Sequence, residues 1–212
     1  MPRSFTYSAL TLRVKSSGES NREAWFLTNE EGVLRATVFG GPKSRLRAQV
    51  APFHGGTLWI YHDPVRDSRK VSDFDVQSYR TGIRELYERV MTADAMAETI
   101  LSTHGGGGNW QAAMQLTGGV LDALNGADTA LCSRLGVYFL WQWADILGVR
   151  PELSRLRVGP GARQWLNQVS SLPPAALARV SLDTVSLEQA GEFSKAILAG
   201  ALGKNLPTWD GI

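Results

Sequence analysis

Three cations stand at alternate positions in the stretch GGPKSRLRAQVAPF, residues 40–53. They are Lys43, Arg45 and Arg47. Alternate side chains of an extended chain point the same way, and arginine and lysine are the side chains that bind phosphate oxygens. An extended conformation would therefore give one cationic edge suited to a polyanion. A helical conformation would separate the three side chains, because a spacing of two does not return to the same helix face.

The cations continue upstream, and aromatic residues lie among them. Residues 1–50 contain eight basic and four acidic residues, and no acid occurs between Glu31 and Asp63. Because a surface normally mixes both signs, this stretch favours a nucleic-acid groove, in which an exposed aromatic can stack on bases. A solvated barrel face is the alternative interpretation. The predicted nucleic-acid-binding residues are Arg13, Lys15, Arg22, Trp25, Arg35, Lys43, Arg45 and Arg47.

Motifs that resemble catalytic sites are incomplete. HGGGGN, residues 104–109, is similar to the oxyanion loop of some esterases, but the chain has no G-x-S-x-G nucleophile elbow. GALGKN, residues 200–205, lacks the Ser or Thr that follows the lysine of a phosphate loop. The three histidines are scattered, and the single cysteine, Cys132, lies in an apolar helical pattern typical of a core residue. We predict no catalytic residue, metal or cofactor, and we do not expect an enzyme.

The elements that must position the cations are short strands. Five alternating or apolar runs, each bounded by turn residues, follow one another at roughly ten-residue spacing: FTYSALTLRV, EAWFLTN, VLRATVFGG, TLWIYHD and KVSDFDVQSY. This spacing predicts a small five-stranded antiparallel barrel or sandwich.

From about residue 80 the apolar residues recur at helical spacing instead. The pattern predicts helices through TGIRELYERVMTADAMAETILST, WQAAMQLTGGVLDALNG, DTALCSRLGVYFLWQWADILG, ARQWLNQVSSL and LEQAGEFSKAILAGALG. Asp128 and Ser186 are the predicted N-caps of the third and the last, and Gly148 ends the third. The fold class is therefore α+β, with a barrel domain at 1–79, an all-helical domain at 80–212 and a connector at 149–162.

The composition indicates the broad class of protein. The 212 residues are 43% hydrophobic and 20% charged, with a formal net charge of +2, which is ordinary for a globular protein. The N-terminus lacks the layout of a secretory signal, and a single cysteine excludes a disulfide framework within the chain. A cytoplasmic protein is expected.

Two regions resemble the RecO family of bacterial recombination mediators. Residues 7–53 are similar to the opening of the family's barrel, with SGES after the first strand and GGPKSRL shortly before PF. Residues 138–153, YFLWQWADILGVRPEL, are similar to the family's helix that ends in L-G-x-x-P. Family members commonly carry four cysteines after that helix, and this chain has none there. The family's zinc module is therefore expected to be absent.

The resemblance implies an OB-fold barrel, a helical domain and a non-enzymatic activity. It implies binding and annealing of single- and double-stranded DNA, partnership with RecR and the single-stranded-DNA-binding protein, and help for RecA to load on coated strands, in the cytoplasm at the nucleoid. The acidic tail of the single-stranded-DNA-binding protein needs an apolar pocket with a basic rim, expected near Arg134, Tyr138 and Trp141. The alternative function is a protein-interaction adaptor for these partners, with little or no DNA binding of its own.

Overall fold

The computed structural model describes residues 3–41, 43–155 and 157–211, which form two compact units, 1–80 and 81–212. The first unit contains five strands and one short helix: β1 Ser4–Ser17, β2 Asn21–Thr28, β3 Gly32–Val38, α1 Arg45–Gln49, β4 Gly55–Asp63 and β5 Ser68–Ser78. The strands close into a barrel in the order β1-β2-β3-β5-β4, with β4 returning to pair with β1. The five predicted strands and the OB-fold barrel are therefore confirmed.

Alternation along the strands fills the barrel. Ala24 and Phe26 of β2 point inward, and Phe26 meets Phe74 of β5 edge to face, with ring centroids 6.0 Å apart. Burying such a ring contributes roughly 1.5–3 kcal/mol. Leu46 and Val50, one helical turn apart, pack against the same core from α1. This apolar pair explains why a helix forms between β3 and β4.

An irregularity in β1 decides which way its basic residues point. The pairing of β1 with β2 shifts register between Thr11 and Arg13. After the shift, Val14 packs against the barrel core, so its neighbours Arg13 and Lys15 face outward.

The second unit is helical throughout its described elements. Its α-helices are α2 Tyr87–Ser102, α3 Trp110–Leu124, α4 Thr129–Ile146, α5 Pro160–Val169 and α6 Thr184–Leu202. Its 3-10 turns are Thr81–Glu85, Leu153–Arg155, Pro174–Arg179 and Pro207–Gly211. The predicted order of barrel and then helices is confirmed. None of the helices in the described part of the chain combines the length and hydropathy that a membrane span requires.

Helix ends follow the predicted chemistry with one correction. The Asp128 side chain caps α4 as predicted, accepting a hydrogen bond from the Leu131 backbone N–H at 2.8 Å. Gly148, just after α4, has a φ of 69°, as its predicted role as a helix stop requires. The last helix is capped by Asp183 rather than Ser186, because the Asp183 carboxylate accepts from the Ser186 backbone N–H at 2.9 Å. It therefore begins earlier than predicted.

The connectors also differ from the sequence prediction in detail. Within the predicted connector 149–162 lie a short 3-10 turn and the first residues of α5. The HGGGGN stretch joins α2 to α3, and His104 and the four glycines after it all have positive φ. At Gly106, a Cβ atom would lie 2.9 Å from Ile146 Cγ2. The glycine-rich stretch thus serves a tight left-handed connection between helices.

Candidate nucleic-acid interface

Three predicted residues form a row across the outer face of the barrel. Arg13 of β1 lies opposite Trp25 of β2, and Trp25 lies opposite Arg35 of β3. Directly paired residues on one face of a sheet have Cβ atoms about 4.5–5.5 Å apart. The register therefore places an aromatic ring between two guanidinium groups, although the three residues are far apart in sequence.

Two cations approach the Trp25 ring itself. The Lys15 Nζ lies 5.8 Å from the ring centroid and the Arg35 Cζ lies 5.5 Å from it. Both distances are within the range of cation–π attraction. Trp25 is half-buried and Lys15 is exposed. Because long basic side chains are flexible, the same cations can leave the ring for a phosphate when a base stacks on the indole.

An acidic side chain moderates this face. Glu23 lies opposite Lys15 in the β1–β2 register and forms an ion pair with Arg35. The Arg35 side chain is 61% exposed and the Glu23 side chain 27% exposed. An ion pair at that exposure contributes little to stability, so its main effect is to offset one positive charge of the face.

The stretch that carries Lys43, Arg45 and Arg47 is helical rather than extended, so of the two conformations considered from the sequence it adopts the one that separates these side chains. Residues 45–49 form α1, and Leu46 and Val50 must both face the barrel core. A helical spacing of two residues turns a side chain through about 200°, which separates Arg45 from Arg47. Lys43 and Arg45 are exposed, whereas Arg47 is half-buried. Pro42, the proline of GGPKSRLRAQVAPF, lies outside the described residues.

Arg22 connects the strand face to α1. It lies opposite Ser16 near the start of β2, and its Nη1 donates to the Arg47 carbonyl at 3.4 Å. Burial lowers the pKa of Arg22, and the nearby Arg47 charge lowers it further. A guanidinium stays charged at any ordinary pH, so two adjacent arginine charges lie at this junction.

The structure adds two residues that the predicted set lacks. Phe39 follows β3 at an even spacing from Arg35, so the two side chains point to the same, outer side of the barrel. Phe39 is 45% exposed, and the Lys70 Nζ lies 5.3 Å from its ring centroid. The alternation of inward and outward residues along β3 already predicts that Phe39 faces outward. Lys70 reaches it through the parallel pairing of Thr37 with Lys70 on β5, and no local sequence pattern shows such a pairing.

The cationic surface does not extend around the whole barrel. Asp73 and Asp75, both exposed on β5, lie opposite Trp59 and Thr57 of β4. We call the outer side of β1–β3 with Lys70 the cationic face; its residues are Arg13, Lys15, Trp25, Arg35, Phe39 and Lys70.

The residues predicted to bind a partner lie inside the helical unit. The Arg134 Nη1 donates to the Val180 carbonyl at 2.8 Å, and the Tyr138 hydroxyl donates to the Leu172 carbonyl at 2.8 Å. The Trp141 indole N–H donates to Ser170 Oγ at 2.9 Å, and Tyr138 and Trp141 are 3% and 1% exposed. These side chains hold the segment between α5 and α6. Their predicted partner role is untested; Tyr138 and Trp141 have little exposed surface to offer, whereas Arg134 is half-buried.

Among the residues that the structure describes, no group of three His, Cys, Asp or Glu side chains is placed to hold a metal ion. Cys132 is buried in α4, and burial raises the pKa of its thiol to about 11. A thiol with that pKa is largely protonated near neutral pH and therefore a poor nucleophile.

Comparison with protein families gives a match over the barrel. Residues 1–79 match the family model described as Recombination protein O N terminal. This match confirms the resemblance of the barrel to the RecO family. A search of curated proteins found no match to the chain.

Proposed function

We propose, from an N-terminal domain that belongs to the RecO family, that this protein binds and anneals DNA strands as a non-enzymatic mediator of recombination and repair. One observation carries the proposal: Trp25 stands on the outer barrel face with Lys15 and Arg35 against its ring and Arg13 beside it. An aromatic platform with flanking cations is the arrangement by which OB folds hold single strands.

The chemistry of this arrangement needs no covalent step. Cations of the face hold phosphates and release condensed counterions, so affinity falls with salt by about 0.7 log units per contact for each log unit of salt. Stacking on an indole contributes roughly 1–3 kcal/mol per base and tolerates any sequence. Neutralising the phosphates of two strands lowers their mutual repulsion, which is how the face would favour annealing.

The family supports further partners for this activity. We propose that the protein acts in the cytoplasm at the nucleoid, with RecR and the single-stranded-DNA-binding protein, and that it helps RecA to load on coated strands. DNA contacts from Arg22, Lys43, Arg45 and Arg47 would extend the cationic face towards α1. Arg134, Tyr138 and Trp141 remain the proposed site for the acidic tail of the single-stranded-DNA-binding protein.

Replacing the platform tests the proposal. Trp25→Ala should weaken binding to a labelled single-stranded oligonucleotide by about tenfold, since about 1.4 kcal/mol of stacking is lost. The slope of log affinity against log salt should stay unchanged, because no phosphate contact is removed. Fluorescence anisotropy at several salt concentrations measures both quantities.

Trp59→Ala is the matched control. Trp59 is also an outward-facing, half-buried tryptophan of the barrel, but it lies opposite Asp73. Its replacement should leave DNA affinity within about twofold of the parent chain, since stacking on the platform is retained. If both variants are folded by circular dichroism and bind DNA with equal affinity, Trp25 is not part of the DNA interface. No binding by the parent chain would favour the adaptor function instead.

A further inference from the structure

A groove with an apolar floor runs between α4 and α6 in the helical unit. It has a volume of about 490 Å³, and Val137, Leu140, Leu187 and Trp209 line it. These side chains belong to three different elements, and the residues that carried the partner prediction, Arg134, Tyr138 and Trp141, do not line it. The groove is therefore a separate surface of α4.

Close packing of α6 against α4 forms the floor of the groove. A Cβ atom at Gly191 of α6 would lie 3.1 Å from the Val137 Cγ2, so the glycine allows α6 to approach α4. The Trp209 indole N–H donates to Thr99 Oγ1 at 2.9 Å. That bond satisfies the polar atom of Trp209, so the small part of the residue that is exposed, 6%, offers the groove apolar carbon.

The charges around the groove are predominantly negative. Glu188 and Glu192 of α6 line it together with Lys195. The Lys195 Nζ is already held, 2.8 Å from Glu192 Oε1 and 3.2 Å from Asp210 Oδ1. Hydrogen bonds to these carboxylates raise the pKa of Lys195. Two carboxylates, Glu192 and Asp210, therefore hold the one ammonium group, and the exposed Glu188 has no ion-pair partner among the described residues.

We infer that this groove is a docking site for an apolar segment of a partner protein that carries lysine or arginine. Apolar side chains of the segment pack on Val137, Leu187 and Trp209, and its cations reach Glu188 and Glu192. An acidic peptide or a phosphate backbone would meet the unpaired Glu188 carboxylate at the same rim. Like charges placed together disfavour such partners, and this gives the groove its specificity.

Two synthetic peptides provide the test. They have equal length and leucines at helical i, i+3 and i+4 spacing, with lysine at the remaining positions of one and glutamate at those of the other. The leucine–lysine peptide should bind and shift the Val137, Leu140 and Leu187 methyl resonances and the Trp209 indole resonance. Glu188→Lys should weaken its binding by about tenfold, because an attraction becomes a repulsion of similar size.

Glu85→Lys is the matched charge control. Glu85 is 74% exposed and lies on the Thr81–Glu85 turn, outside the groove, so this variant should change peptide affinity by less than about twofold. Leu187→Ser tests the apolar floor without changing charge, and it should weaken binding about fivefold by removing apolar contact. Thermal unfolding checks that each variant is folded.

Several results would overturn the inference. Tighter binding of the leucine–glutamate peptide would mean that the partner segment is acidic rather than basic. Resonance shifts outside the groove, or equal effects of Glu188→Lys and Glu85→Lys, would mean nonspecific attraction of a basic peptide. Concentration-dependent self-association of the full chain in sedimentation, abolished by Leu187→Ser, would identify a second copy as the occupant. DNA binding by the Trp25 platform is measured separately and does not decide these outcomes.

Discussion

The cationic face of the barrel and the α4–α6 groove use similar parts with opposite charge. Each combines an indole with charged side chains, lysine and arginine around Trp25 in one and glutamates near Trp209 in the other. The apolar part provides contact area in both, and the sign of the rim selects the partner. Under our two proposals the barrel face would bind a polyanion and the groove a cationic segment.

The two regions also arise by different structural routes. The cationic face follows from strand alternation and register, which bring Arg13, Trp25 and Arg35 into one row. The groove depends on tertiary packing. Gly191 allows α6 to approach α4, and the Pro207–Gly211 turn contributes Trp209. Substitutions on the face should therefore alter binding with little change in stability, whereas substitutions in the groove floor need a folding control.

The largest expected effect comes from removing three positive charges of the cationic face, which should weaken DNA binding and leave peptide binding unchanged. The triple variant Arg13→Gln, Lys15→Gln and Arg35→Gln should lower the affinity for single-stranded DNA on the order of a hundredfold at low salt. The salt slope should become shallower by about 2, at about 0.7 for each lost phosphate contact. Binding of the leucine–lysine peptide should not change. Anisotropy titrations with both ligands measure the contrast.

A second triple variant controls for net charge. Arg163→Gln, Arg179→Gln and Lys204→Gln remove the same charge from exposed positions of the helical unit. DNA affinity and salt slope should then stay within about twofold and about 0.5 of the parent values, since long-range effects of exposed charges are screened. If this variant lost as much DNA affinity as the triple variant of Arg13, Lys15 and Arg35, overall charge rather than the cationic face would govern DNA binding.

An intermediate effect is expected from α1. The double variant Lys43→Gln and Arg45→Gln should weaken DNA binding by about tenfold and reduce the salt slope by about 1.4, because both side chains are exposed. Arg47→Gln alone should have a smaller effect, because Arg47 is half-buried and lies beside Arg22. Equal losses from Arg45→Gln and Arg47→Gln as single variants would contradict the separation of the two side chains by the helix.

The barrel was predictable because its information is local. Each strand alternates apolar and polar residues between turn residues, so the inward Ala24 and Phe26 and the outward Trp25 follow from period two alone. The row of Arg13, Trp25 and Arg35 needs the exact pairing of strands, which includes a register shift in β1. Single-sequence patterns do not contain that shift.

The remaining features depend on packing between distant residues. The spacing of Lys43, Arg45 and Arg47 does not decide between a strand and a helix, but the barrel core takes Leu46 and Val50 together and thereby selects a helix. Tyr138 and Trp141 donate hydrogen bonds to the segment between α5 and α6, a contact that their spacing in the sequence does not show, and their partner role stays a prediction. The groove has no sequence motif, because its lining comes from elements that meet only in the folded unit.

The smallest expected effect comes from the opposite charge that each region contains. Glu23 is an acid on the cationic face, held by Arg35, and Lys195 is a cation at the acidic rim, held by Glu192 and Asp210. Glu23→Gln should raise DNA affinity about threefold, because an exposed ion pair contributes at most about 1 kcal/mol and its loss releases Arg35 for a phosphate. Lys195→Gln should raise leucine–lysine peptide affinity by a similar factor and leave DNA affinity unchanged. If Glu23→Gln instead weakens DNA binding while the chain stays folded, the ion pair positions Arg35 for DNA, and the acid belongs to the binding surface rather than opposing it.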